Sequence, residues 1–99
     1  MLSLTQPEGG GFILSHGGQE VARIIVETVD PADRAAHIVI CHGSLRVSLE
    51  VFEGDTFEVS ADDWTANVVI VSTRSQGLNN PHLRAGIEAP RSVRITRAI

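Results

Sequence analysis

The chain has 99 residues, a formal net charge of −4 and one cysteine. That length suits one domain burying roughly 60–70% of its unfolded surface. A lone thiol excludes an internal disulfide. No stretch approaches the ~20 apolar residues of a membrane helix. The opening MLSLTQPEGGG lacks the basic and apolar regions of a secretory leader, so the expected location is the reducing cytoplasm.

All eight cations are arginine, and the absence of lysine suggests GC-rich coding. Residues 1–63 hold eleven acids and three arginines, whereas residues 64–99 hold five arginines and only Glu88. Such a balance makes duplex nucleic acid a poor partner. The C-terminal arginines are expected to pair with acids on neighbouring strands. The alternative is an arginine patch facing an anion or a partner.

Residues 1–11 read as a flexible arm, followed by a short first strand at Phe12-Ile13-Leu14. Glu20 to Val29 alternates as a second strand, and Asp30-Pro31-Ala32-Asp33 reads as a wide turn or one helical turn. Ala36 to His42 is the third strand. Gly43-Ser44 then suits a type II′ hairpin, with glycine in the first central position. Leu45, Val47, Leu49 and Val51 alternate with Arg46, Ser48 and Glu50, the mark of a strand with one buried face. Glu53-Gly54-Asp55 breaks the run and Phe57 and Val59 resume it, which reads as a hairpin of a fourth and a fifth strand. Ser60 to Asp63 is a polar turn and Trp64–Thr73 a sixth strand.

Residues 74–90 read as a long loop. Within it, Asn80-Pro81 through Gly86 has the capping pattern of one short helix. Arg91–Ile99 is the last strand, with Val93 and Ile95 on one face and Arg94 on the other. No internal repeat is evident. The fold class is all-β, a single-domain small antiparallel β-barrel or sandwich of about seven strands. The second, third and sixth strands are apolar on both faces, and their outer faces need cover. Leu78, Leu83 and Ile87 of the expected helix would supply it, as would a second subunit. A mean hydropathy of +0.09 favours a homodimer.

Chemistry-bearing residues are sparse. His37 and Cys41 share a strand face but stand about 13 Å apart at ~3.3 Å per residue, too far to hold one ion. His42 points to the opposite face. No metal, cofactor or catalytic residue is therefore expected. His16-Gly17-Gly18 lacks the G-x-S-x-G partner of an esterase loop. Trp64, the only tryptophan, is expected as a core or rim anchor, with partner contact as the alternative. Arg74 and Arg84, with Arg94, would frame an anion site.

Two resemblances follow from these motifs. The strand rhythm from Ile38 to Ile70, with Gly43 and Gly54-Asp55 at its turns, resembles the core of a cupin, a small β-barrel that often binds metal. Ser60, Asp62 and Thr65 occupy the family's Pro, Gly and His places, and the His-x-His and Glu ligands before Gly43 are absent, so metal-dependent activity does not carry over. Gly54-Asp55-Thr56-Phe57-Glu58-Val59, Trp64 and the terminal Val-Arg-Ile-Thr-Arg resemble small uncharacterised actinobacterial β-domains, which implies a fold and a host.

The expected function is a non-enzymatic protein-binding or assembly module, homodimeric or bound to another protein. Its contacts would come from Trp64, Arg74, His82, Arg84, Arg94, His16 and His42. One alternative is a barrel for a small-molecule ligand, with cyclase, isomerase or lyase-like chemistry where His16, His42, His82 or Arg94 converge. Another is an acidic inhibitor or antitoxin-type protein presenting Glu50, Glu53, Asp55 and Glu58.

Overall fold

Alternation decides which face each strand buries, and pairing decides which strands lie side by side. The computed structural model describes residues 1–61, 63–74 and 81–98. In chain order the strands are β1 (Leu2–Pro7), β2 (Gly11–His16), β3 (Gln19–Asp30), β4 (Ala35–His42), β5 (Leu45–Phe52), β6 (Thr56–Ala61), β7 (Trp64–Arg74), β8 (His82–Glu88) and β9 (Val93–Arg97). They form a four-stranded antiparallel sheet, β1-β8-β7-β6, and a five-stranded one, β5-β4-β3-β2-β9. The inner faces meet in one apolar cluster that includes Phe12, Leu14, Ile24, Ile38, Val68, Ile70, Leu83 and Ile87. The architecture is a sandwich rather than a closed barrel.

All seven expected strands are present, and two more join them. The expected arm contains β1, which pairs with β8 from Leu2↔Ile87 to Pro7↔His82. Leu4 and Gln6 face the core, and buried Gln6 donates from Nε2 to the Gly11 carbonyl at 2.6 Å. The expected loop contains β8, whose Leu83, Ala85 and Ile87 point inward. The short helix expected from Asn80 to Gly86 is replaced by this strand from His82 onward, because burial of three alternating apolar residues outweighs a local capping pattern. Leu78, Asn79 and Asn80 lie outside the described residues.

The outer faces are unevenly exposed, with Val71 of the expected sixth strand 42% exposed. Val39 stands opposite Ile25 on the outer face of the five-stranded sheet, yet it is only 1% exposed within the single chain. The Gly43-Ser44 hairpin is as expected. Gly43 has φ 62 and no positive φ occurs at Ser44, the requirement of type II′.

The expected hairpin over Glu53-Gly54-Asp55 is instead a corner between the two sheets. β5 pairs with β4 and β6 pairs with β7, so the chain leaves one sheet and enters the other. Gly54 N donates to Ile70 O at 2.8 Å, and Ile70 N to Asp55 O at 2.9 Å. The Glu53 carboxylate accepts from Thr73 N at 2.8 Å and from Thr73 Oγ1 at 2.9 Å. Asp55 Oδ2 takes the Phe52 amide at 2.8 Å.

The β1–β2 corner repeats this arrangement. Gly9 N donates to Val26 O at 2.8 Å, Val26 N to Gly10 O at 2.9 Å, and Val29 N to Glu8 Oε2 at 2.8 Å. Beyond each corner residue pair the central strand is bulged at the matching place, Glu27 in β3 and Val71 in β7. Phe12↔Ile24 and Leu14↔Ala22 in one half correspond to Phe57↔Val68 and Val59↔Ala66 in the other. Exchanging β1–β4 for β5–β8 converts the order β1-β8-β7-β6 into β5-β4-β3-β2. The chain is thus a structural duplication, contrary to the expectation of no repeat. The sequence similarity that survives is short: Glu-Gly-x-x-Phe at residues 8–12 and at 53–57.

The Glu53 corner has a pH signature. Hydrogen bonds from the Thr73 backbone and hydroxyl hold its carboxyl below the ordinary glutamate range, with Arg34 and Arg74 adding smaller attractions. A lowered folded value means the stabilisation is complete above the ordinary range and is lost as pH falls through the lowered one. Glu53→Gln is therefore expected to melt below the wild type at neutral pH, and the gap should close on acidification. A gap in melting temperature that stays constant across that range would refute the assignment.

Candidate functional site

Four of the seven expected contact residues fall on separate surfaces. Trp64 is 6% exposed and belongs to the core cluster, opposite Ala61 at the start of β7. It has little surface left for a partner. His16 ends β2, half-buried, opposite Gln19 and Val93. Arg94 is exposed on the outer face of β9, opposite Ser15. His42 closes the β4–β5 hairpin opposite Leu45. These four do not meet.

Arg74, His82 and Arg84 do come together. Arg74 is the cross-strand partner of His82, and Arg84 that of both Ser72 and Thr5. With Val71 these residues line a shallow depression of about 510 Å³ on the outer face of the four-stranded sheet. The bulge at Val71 sets Ser72 opposite Arg84. Arg84 Nε donates to Ser3 Oγ at 3.1 Å. His82 Nδ1 is buried and has no hydrogen-bond partner among the described residues. Among the described residues no carboxylate lines the depression, so its chemistry suits a small anion or an acidic side chain. Among the described residues the one ion pair is Arg23–Glu20 at 2.7 Å. Among the described residues, then, the C-terminal arginines make no cross-strand ion pair of the kind that the charge distribution suggested, and Arg74 attracts Glu53 only from a distance.

The third surface is one that patterning along a single strand does not reveal. The inner face of β5 starts in the core and ends in water. Val51 is 4% exposed, Leu49 half-buried, Val47 38% and Leu45 63%. Their partners on β4, Ala36, Ile38, Ile40 and His42, run the same way from buried to half-buried. The result is a cleft of about 320 Å³ between the edges of the two sheets, walled by Ile40, His42, Leu45, Val47 and Phe57. Both strands that border it, β5 and β6, are outermost in their sheets. The signal was present in sequence as Leu45 and Val47, but their position beyond the reach of the opposite sheet was not.

Among the described residues, no three His, Cys, Asp or Glu side chains gather as metal ligands would. Of the three cupin-motif places, Ser60 and Thr65 hydrogen-bond each other at 3.2 Å, and Asp62 lies outside the described residues. Of the four acids proposed as a polyanion surface, Glu53 and Asp55 are engaged at the corner. No family model, curated protein or solved structure matches this chain.

Because Leu45 and Val47 lie at the open end of the cleft, they contribute little to folding. Leu45→Ser and Val47→Thr are expected to change unfolding free energy by less than about 0.5 kcal/mol each. Leu14→Ala, deep in the core, should cost about 2–5 kcal/mol. Urea denaturation separates the two classes; a core-sized loss at Leu45 would mean that the cleft is closed in solution.

Proposed function

We propose that this chain is a non-enzymatic assembly module whose first partner is a second copy of itself, joined through the β5 edge. The observation that carries the reading is a self-complementary strand. Glu53 N turns toward β4, donating to Arg34 O at 3.0 Å, whereas Phe52 N turns away from it and is taken by Asp55. The alternation of an antiparallel ladder then directs the amides and carbonyls of Arg46, Ser48 and Glu50 to the open edge.

An antiparallel pairing of two β5 strands about a twofold axis at Ser48 uses all three of these residues. It sets Arg46 of each copy opposite Glu50 of the other, and Val47 opposite Leu49 on the inner face. Charges on an edge strand ordinarily deter pairing. Here their order makes the strand attractive to its own antiparallel copy and to few others. Five-stranded sheets joined this way would form one continuous ten-stranded sheet, an isologous dimer. The half-buried thiol of Cys41 fits a reducing compartment, and we assign the module to the cytoplasm.

The test is a charge swap. Arg46→Glu places like charges opposite each other at two symmetric sites and should weaken the dimer about tenfold, taking ~0.2–1 kcal/mol for each lost attraction and each new repulsion. Arg46→Glu with Glu50→Arg should restore it. Ser48→Pro removes an edge amide while leaving the ladder to β4 intact, and should give a folded monomer. Sedimentation equilibrium reads all three. A wild type that stays monomeric at high micromolar concentration, or a swap that fails to rescue, would overturn the reading.

A further inference from the structure

One strand of the duplication has no counterpart among the described residues. β9 lies on the edge of β2, and no described strand lies on the equivalent edge, that of β6. The first half therefore has its β2 edge covered by Val93 and Ile95, while the second half has nothing in that place among the described residues. The consequences appear at two of the equivalent pairs, while a third, Leu2 and Val47, is exposed on both sides, at 45% and 38%. Phe12 is 1% exposed and its counterpart Phe57 is only half-buried. Leu4 is buried and its counterpart Leu49 is not. The cleft between β5 and β6 lies beside the edge equivalent to the one that β9 covers, where a smaller cleft of about 230 Å³ remains between Leu2, Val93 and Ile95.

We propose that the β6 edge is an acceptor site for one extended strand of a protein partner, bound antiparallel in the manner of β9. This goes beyond self-association and uses the other sheet. The backbone is ready for it. Ala98 N donates to Gly11 O at 3.0 Å, so the odd-numbered residues of β2 serve β9. Ile70 N donates to Asp55 O, which turns Asp55, Phe57 and Val59 toward β7 and leaves Thr56, Glu58 and Ser60 directed outward. Each of these offers an N–H and a C=O to an incoming strand, the arrangement used in β-strand addition.

The chemistry of the occupant follows from the pairing of β9. Ile95 sits opposite Leu14 and Val93 opposite His16, so the equivalent places against Val59 and Ala61 take branched apolar side chains pointing into the cleft. Thr96 sits opposite Ile13, whose counterpart on β6 is Glu58. The occupant should therefore carry a basic residue where β9 carries Thr96. It is an extended segment of alternating pattern, apolar inward, with one arginine or lysine outward at its centre.

Synthetic peptides of the sequence Ser92 to Ala98 provide the probe, one with Arg and one with Glu in the place of Thr96. Titration into the protein is followed by amide chemical shifts. The Arg peptide should give saturable changes at residues 56–61, and the Glu peptide should bind about three- to tenfold more weakly. Glu58→Pro removes an outward amide without touching the ladder to β7, so the protein should remain folded and lose the response. The Ser48→Pro variant should bind as the wild type does, which separates this site from the β5 edge. Absence of saturable change, changes centred on β2 instead of β6, or binding that survives Glu58→Pro would overturn the proposal.

Discussion

The structure depends on a corner that occurs twice. A strand of one sheet runs into a Glu-Gly turn, and the next residues pair with the central strand of the other sheet through Gly9–Val26 and Gly54–Ile70. The glycine adopts positive φ in both cases, 86° at Gly9 and 94° at Gly54, which a side chain would oppose. The glutamate then reaches along the central strand to the amide of Val29 or Thr73. These amides lie just past a bulge, where the ladder has slipped, so the carboxylate satisfies a donor near an irregularity in the sheet. Turn, bulge and carboxylate form one device, and two copies of it hold the sheets face to face.

The device also explains why the sheets are intertwined. Each half sends its first strand to the sheet built by the other half's meander: β1 lies beside β8, and β5 beside β4. Neither half therefore completes a sheet alone. Pairings such as Leu2↔Ile87 join the beginning and the end of the chain. Contacts of that separation carry a high loop-closure cost and become favourable only once both meanders exist.

Duplication with one unmatched strand leaves an asymmetric object. On the side where β9 is present, the strands β1 and β2 bury Leu4 and Phe12, although Leu2 is 45% exposed. On the other side β5 and β6 leave Leu45, Val47 and Phe57 facing a cleft. Edges of this kind invite pairing unless they are blocked. The β5 edge has one amide capped by Asp55 and a pair of opposite charges in self-complementary order. The basic depression of Arg74, His82 and Arg84 is a separate feature, on an outer face rather than an edge.

Much of the fold was legible in the sequence because most strands are locally encoded. Alternation in Leu45–Val51, the Gly43 turn and the apolar run of β7 depend on residues within a few positions of one another. β1 and β8 escaped because a buried Gln6 or a helix-like Asn80-Pro81 start is explained only by the strand alongside. The Glu53 turn was visible as a break but not as a corner, since a hairpin and a corner differ in which strand receives the backbone hydrogen bonds. The candidate sites were the least legible. Arg74 and Arg84 were identified by type, and the strand pairing brought them to His82. Leu45 and Val47 read as core by alternation and became surface because the opposite sheet ends at β6. The sequence by itself determined the all-β class, seven strands and the residues that face inward, because side-chain period is a local property of the backbone. Tertiary structure alone decided which inward faces are covered, because coverage depends on strands brought together from distant parts of the chain.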